Sequence, residues 1–253
     1  MLTRSTKVAL SFLVFLTTIC SNASGQQNRP ADRAGARAIV VDERLAVLRD
    51  APNFSARLLR RLGRGRNVTI LGTKRTVEGL VFHRVAVTKR TRGWLQSEAV
   101  IAPARPGDDM RLLRLIAASA DFERIARARI FLDAFPQSRL RPRTLLLYGD
   151  AAEEAAARVS REAMRRLDER EMAASGAPIF SYFLNYSGLD RYRRENLNFT
   201  FDLSTRQIHY DGASWRELVR RYPQSAEAVE ARQRLASLEA RRVANRSLRP
   251  LQF

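Results

Sequence analysis

The stretch TKRTRGWLQSEAV, residues 88–100, decides how the chain divides. It carries Trp94, one of only two tryptophans in 253 residues. Directly before it runs GLVFHRVAV (79–87), which is apolar and β-branched. Shortly after it comes APARPGDD (102–109), where two prolines and a glycine block regular structure. Before that break the segments are short and strand-like. After it, apolar residues recur about every 3.6 positions. The Gly93–Trp94 pair therefore closes a β unit. Gly93 permits a tight backbone approach after the turn. Trp94 supplies a large apolar body, either as core filler for a small barrel or as one wall of an aromatic ligand groove.

Outward toward the N-terminus, five short runs rich in Val, Ile, Leu and aromatics fall at 38–41, 45–49, 67–73, 80–87 and 92–95, punctuated by Gly63, Gly65, Gly72, Gly79 and Gly93. Five strands in the 37–101 segment predict a small barrel, because closure removes unpaired edges. Residues 26–36, QQNRPADRAGA, read as a flexible linker. Ahead of them the sequence reads as an export signal, the other reading being a retained N-terminal anchor: Arg4 and Lys7 form a basic start, residues 8–19 an apolar run too short to span a bilayer comfortably, and SNASG offers small residues for cleavage after Ala23 or Gly25. Lipidation at Cys20 fits poorly, because bulky Ile19 precedes it. A cut at either point leaves a chain without cysteine, hence without disulfide, thiolate nucleophile or Cys-based metal site. No other apolar run approaches membrane-spanning length.

Outward toward the C-terminus, the 102–109 linker ends at Asp108 or Asp109, either of which suits a helix cap. Phe122, Ile125, Ala128, Leu132 and Phe135 share one helical face, and Leu145, Tyr148, Ala152, Ala156, Val159, Ala163 and Leu167 share another. The second set predicts one long helix over 142–172. An insert follows at 173–212. Its IFSYFLNY run (179–186) suits helix or strand, and NFTFDLSTRQIHY (198–210) reads as a hairpin. Ser214 and Glu217 then have capping-box spacing, and Ser225 suits the cap of a last helix whose face holds Ala228, Ala231, Leu235 and Leu238. Residues 244–253 read as a loose tail. Two segments, 128–142 and 215–229, share aromatic-Pro-Gln-Ser at the same phase: FPQS and YPQS. In each, proline stops one helix and serine opens the next, which is the grammar of stacked helical hairpins. Two hairpins alone bury little, so the insert must help close their core. The fold class is α+β multidomain: a small β-barrel, then a helical-hairpin domain over 110–243 carrying a β-hairpin insert.

Formal net charge is +19, and removing Arg4 and Lys7 from the acid-free leader leaves +17. Nearly all cations are Arg, with Lys only at 7, 74 and 89, and they are scattered over every segment. Scattered charge argues against a nucleic-acid face, although a basic exported protein is drawn to anionic envelope polymers. The two histidines, His83 and His209, lie in separate units and read as strand residues, not as a metal pair. No H-E-x-x-H, G-x-S-x-G or phosphate loop occurs. GDAAEE (149–154) places its acids on the polar face of the long helix. Neither an enzyme nor a cofactor or metal is expected.

Residues LAVLRDAPNFSARLLRRLGRGRNVTILG (45–72) followed by RGWLQSEAV (92–100) resemble a bacterial SH3-like (SH3b) domain. The resemblance rests on an opening strand leading to Arg49 and Pro52, a leucine-to-glycine turn at Leu62–Gly65, and a closing Gly-Trp strand. It covers about a quarter of the chain. Phe82 stands where that family often carries a second Trp. The helical half looks like a degenerate tetratricopeptide-type array, a fold used as a scaffold for other proteins. The resemblance implies a non-enzymatic binding or scaffold protein of the bacterial envelope, periplasmic or secreted. Its barrel recognises a peptide or cell-wall component and its helical half docks a protein partner. The alternative is an accessory subunit that targets a separate peptidoglycan hydrolase. Candidate contacts are Phe82, Arg92 and Trp94 in the barrel and Tyr182, Tyr186 and Trp215 in the helical half, each of which also suits a core.

Overall fold

The computed structural model describes residues 35–247. The expected signal with Cys20, Ala23 and Gly25, most of the 26–36 linker and residues 248–253 lie outside the described residues. The fold is α+β: one curled antiparallel sheet of seven strands, then eight helices and a two-stranded hairpin. Among the described residues no helix is long and apolar enough to cross a membrane.

The sheet contains β1 (Arg37–Val40), β2 (Val47–Arg49), β3 (Leu58–Arg61), β4 (Asn67–Arg75), β5 (Val81–Ala86), β6 (Arg92–Gln96) and β7 (Val100–Ile101), in the order β3-β2-β6-β5-β4-β1-β7. All five expected strands are there. The other two carried no pattern: LLRR of β3 is exposed along its whole length, and β7 is only two residues long. The sheet curls, but it ends at β3 and β7, each hydrogen-bonded to one neighbour. Alternation gives the strands two faces. Leu48, Val85 and Leu95 are fully buried on the inner face, with Val40, Val68 and Ile70. Gly93 belongs to that face because a Cβ there would sit 2.7 Å from the Arg49 carbonyl and 2.8 Å from Leu48 Cγ.

The 102–109 segment is pinned, and Asp108 does not cap. Its carboxylate turns back to accept the Ala102 amide (2.7 Å), Arg105 Nε (2.9 Å) and Arg111 Nε (3.3 Å). The cap position of α1 (Asp108–Ala117) falls to Gly107 at φ 82°. Helices α2 (Asp121–Ala134) and α3 (Arg141–Arg166) pack side by side. The long helix ends sooner than its periodicity predicts, because Asp168 accepts the amides of Arg170 (2.8 Å) and Glu171 (3.2 Å) and starts α4 (Glu169–Ser175). The aromatic run is helical, as α5 (Ile179–Leu184), followed by α6 (Asp190–Arg193). The expected hairpin forms from β8 (Phe199–Asp202) and β9 (Gln207–Tyr210), with Phe199 opposite Tyr210 and Phe201 opposite Ile208. The capping box does not form. Gly212 caps α7 (Ala213–Arg221), which places Ser214 inside the helix, while Glu217 reaches Arg141 Nη2 at 3.0 Å. Ser225 does accept the Ala228 amide (3.2 Å) at the start of α8 (Ala226–Ser247), whose last four residues fall within the 244–253 segment.

The aromatic-Pro-Gln-Ser repeat is real in the backbone. Phe135 and Tyr222 end their helices at φ −123°, ψ 61° and φ −132°, ψ 52°. The serine amide bonds back to the aromatic carbonyl in both, at 3.2 Å for Ser138 and 3.0 Å for Ser225. The two hairpins enclose one apolar core, and the insert contributes Phe183, Tyr192, Ile208 and Tyr210 to it. Val41 and Ile101 of the sheet unit reach the same core.

Two carboxylates fasten these parts. The Arg44 hydrogen bond holds the Asp42 carboxyl below its ordinary value of 3.8, against the opposing effect of burial. Burial alone would raise Glu153, but bonds from His209 (2.7 Å) and the Tyr210 amide (2.9 Å), with the charges of His209 and Arg241, bring it below 4.5. Both folded values lie under the unfolded ones, so the stability they contribute is complete above the ordinary values and is lost as pH falls through the folded ones. The urea midpoint is expected to drop as pH is lowered below 4.5. The drop should be shallower in Glu153→Gln, and an unchanged slope in that variant would refute the assignment.

Candidate functional site

The strand alternation that buries Leu48, Val85 and Leu95 turns their neighbours to the opposite face. Trp94 on β6 stands directly across from Arg49 on β2 and Arg84 on β5. Directly opposed residues bring their Cβ atoms to about 5 Å. Two positions along β6, Arg92 lies opposite Ala86 and Gln96 opposite Phe82, and Lys74 of β4 lies opposite Phe82. No Asp or Glu occupies this face of β2, β4, β5 or β6. Among the described residues Arg84, Arg92 and Lys74 form no ion pair.

The loop between β2 and β3 folds back onto this face. Arg49 Nη1 donates to the Ala56 carbonyl at 2.7 Å, and Arg57 Nε meets Asp50 at 3.3 Å. So held, the loop brings Phe54 edge-on to Phe82, ring centroids 5.7 Å apart. Phe54 is 55% exposed and Phe82 only 1%. Phe82 therefore supports the face from below and does not offer its own ring. Trp94 is half-buried on the side away from the apolar core, so it is not core filler.

The three barrel candidates, Phe82, Arg92 and Trp94, are thus brought to one face. The three helical candidates are not. Trp215 is 1% exposed and packs edge-on against Tyr210 with centroids 5.5 Å apart, so it belongs to the core. Tyr182 is half-buried and bonds Ser175 through its hydroxyl. Tyr186 packs against the core beside Gly188. Sequence reading did not single out Arg84 or Phe54. Arg84 was findable, since it lies two residues from Phe82 and so on the same strand face. Phe54 sits in a loop and gave no periodic signal.

Both histidines are buried strand residues. His83 meets Thr73 Oγ1 at 2.9 Å and Arg105 Nη1 at 3.3 Å, and His209 bonds Glu153. Among the described residues no group of three or more His, Cys, Asp or Glu side chains is placed to hold a metal ion. A cleft of about 600 Å³ lies where the sheet meets α2 and the insert. Arg37, Arg129 and Arg194 share it with Asp133 and Glu195, so its charges are mixed. The strands of the outer sheet face carry cations only, and the one carboxylate of the loop folded onto them, Asp50, is paired with Arg57. The face can hold a carboxylate between guanidinium groups while an apolar group lies on Trp94 or Phe54. Comparison with protein-family models, with curated proteins and with solved structures finds no match to this chain.

Proposed function

We propose that this is an exported, non-enzymatic binding and scaffold protein of the bacterial envelope. In this reading the sheet unit is an SH3-like module that takes a carboxylate-bearing peptide or cell-wall component. The helical half, a degenerate tetratricopeptide-like array, docks a second protein. The observation that carries the reading is the acid-free outer face, where Trp94 stands between Arg49 and Arg84 with Phe54 beside it. Arginine supplies bidentate hydrogen bonds to a carboxylate, and the rings supply apolar area at little entropy cost. The apolar leader at residues 8–19 supports export.

The test is retention of the purified protein on insoluble peptidoglycan at low salt and at about 0.3 M salt, where the screening length falls to roughly 6 Å. Retention is expected to survive the salt. Trp94→Ala is expected to weaken it about thirtyfold, equivalent to the roughly 2 kcal/mol of an aromatic hot spot. Arg84→Gln should weaken it less and reduce its salt dependence. Retention that vanishes at the higher salt, or that is indifferent to Trp94→Ala in a folded protein, would leave only general charge attraction and overturn the reading.

A further inference from the structure

Strand β3 (Leu58–Arg61) has an unusual combination of features. It is the terminal strand of the sheet, bonded only to β2. All four of its residues are exposed, including Leu58 at 48% and Leu59 at 40%. An open strand edge is a template for another strand, and proteins usually blunt it with short length, charge or proline. Here the blunting is by charge of one sign. Arg60 and Arg61 follow the two leucines on the strand itself, whereas the neighbouring Arg57 is paired with Asp50 and Arg64 with Glu43 and Glu123. Among the described residues Arg60 and Arg61 form no ion pair. A second copy of β3 laid antiparallel in full register would set Arg60 and Arg61 opposite Leu59 and Leu58, which crowds four guanidinium groups into one four-residue ladder, so like charge opposes self-pairing. An acidic strand would meet the opposite field.

The backbone is set for such an addition. The Leu62 amide bonds back to the Ala46 carbonyl at 2.9 Å. Alternation then turns the amide and carbonyl of Arg61 away from β2, toward the open side. The register also joins this edge to the outer face: Leu58 pairs with Arg49, which pairs with Trp94, so Leu58, Arg49, Trp94 and Arg84 form one row across four strands.

From these observations we propose that β3 is a docking edge for an extended acidic peptide, which adds as an eighth strand. The peptide main chain bonds to the outward groups of β3. Its apolar side chains rest on Leu58 and Phe54, and its carboxylates meet Arg60 and Arg61. The proposal rests on the reading of the sheet unit as a binding module and adds the class of ligand and the path of its main chain.

The test uses the full chain and a labelled, end-blocked octapeptide of alternating Val and Glu, followed by fluorescence anisotropy at about 0.15 M salt. Binding is expected, with the Val-Lys peptide at least about tenfold weaker. N-methylation of alternate peptide amides removes main-chain donors while keeping every charge, and is expected to weaken binding about tenfold or more. On the protein, Arg61→Pro removes the outward amide and should do the same, whereas Arg61→Gln should cost only about threefold. No binding at about 1 mM peptide, or equal binding of the N-methylated peptide, overturns the proposal. If N-methylation is harmless but Trp94→Ala abolishes binding, the peptide lies on the outer face. The edge proposal then falls while the proposed function stands. Equal binding of a short oligothymidylate would mean attraction by charge alone and would also overturn it. The N-methylated peptide decides the matter even if Arg61→Pro fails to fold.

Discussion

Arg127→Ala is expected to uncouple the sheet from the helices and to cost about 3 kcal/mol or more, the usual result of stripping one partner from a buried ion pair. Arg127 lies on α2 and is 4% exposed. Its guanidinium bonds the Val41 carbonyl at 3.0 Å and Ser119 Oγ at 2.6 Å, and lies 3.3 Å from Glu123 and 3.7 Å from Asp42. Val41 and Asp42 belong to the sheet unit, Ser119 to the turn after α1 and Glu123 to α2. One planar group thus ties three segments. Burial pushes its pKa down, and the carboxylates of Glu123 and Asp42 oppose that. Arg64 adds a second tie from the sheet side, to Glu43 at 3.2 Å and Glu123 at 2.5 Å. Lysine cannot replace Arg127, because a point charge with a single nitrogen cannot reach acceptors spread around a fork. Arg127→Lys should therefore recover less than half of the loss.

The measurement uses the chain's own probes. Trp94 lies in the sheet and Trp215 in the helical half, so Trp94→Phe and Trp215→Phe backgrounds report each half alone by fluorescence. In each background fluorescence and far-UV circular dichroism should give coincident urea midpoints, as for one cooperative unit, and Trp215→Phe shifts both together by its own packing cost. With Arg127→Ala both should fall and separate, because each half keeps its own apolar core. Midpoints that stay together and move by less than about 0.5 kcal/mol would show that apolar contact through Val41 and Ile101 suffices.

Arg127 also shows where sequence reading stops. In the primary structure it is one of many scattered arginines on a helix. Its partners Asp42 and Val41 are 85 and 86 positions away. Periodicity reports which face a residue is on, not which distant loop meets it. A different failure hid the end of α3: the apolar stripe through Leu167 reads on without a break, and it overrode a local cap, Asp168, which accepts the amides two and three residues on. Local signals fared better. Strands with alternation, the Phe199–Tyr210 hairpin and both proline turns were legible because each is decided within a dozen residues. At the candidate face the legible part was Gly93–Trp94, where close approach demands glycine. Of its flanking arginines, Arg84 shares a strand face with Phe82 by simple alternation, whereas Arg49 needed the register that only the folded sheet supplies. The capping box at Ser214 misled, because Gly212 at φ 82° starts the helix two residues earlier.

Trp215→Ala is expected to cost about 3–5 kcal/mol, as for a large aromatic removed from a close-packed core. The repeat explains why. Matching Phe135 with Tyr222 puts Ala128 and Trp215 at the same phase, and Phe131 with Leu218. Ala128, Phe131 and Leu218 are fully buried, and Trp215 is 1% exposed. Both α2 and α7 pack on α3, and Trp215 does so at Gly149. A small residue on α2 and a large one on α7 require α3 to be shaped differently on its two sides. Gly149 supplies the difference: a Cβ there would lie 2.6 Å from Ser214 Oγ and 2.7 Å from Trp215 Cε2. In an ordinary helix interior Gly→Ala stabilises by about 1 kcal/mol. Here the methyl meets an indole already fixed against Tyr210, whose hydroxyl also accepts the Ser214 amide at 2.7 Å. Gly149→Ala should therefore reverse sign and destabilise by about 1–3 kcal/mol, the range for overpacking. Combining it with Trp215→Ala should recover the usual benefit of alanine, since the methyl then enters vacated space. That non-additivity, read by thermal unfolding of the four chains, separates a packing role from any role at a surface. If Trp215→Ala left stability unchanged while weakening partner binding, Trp215 would have to be a contact residue after all, and the hairpin core drawn around it would be wrong.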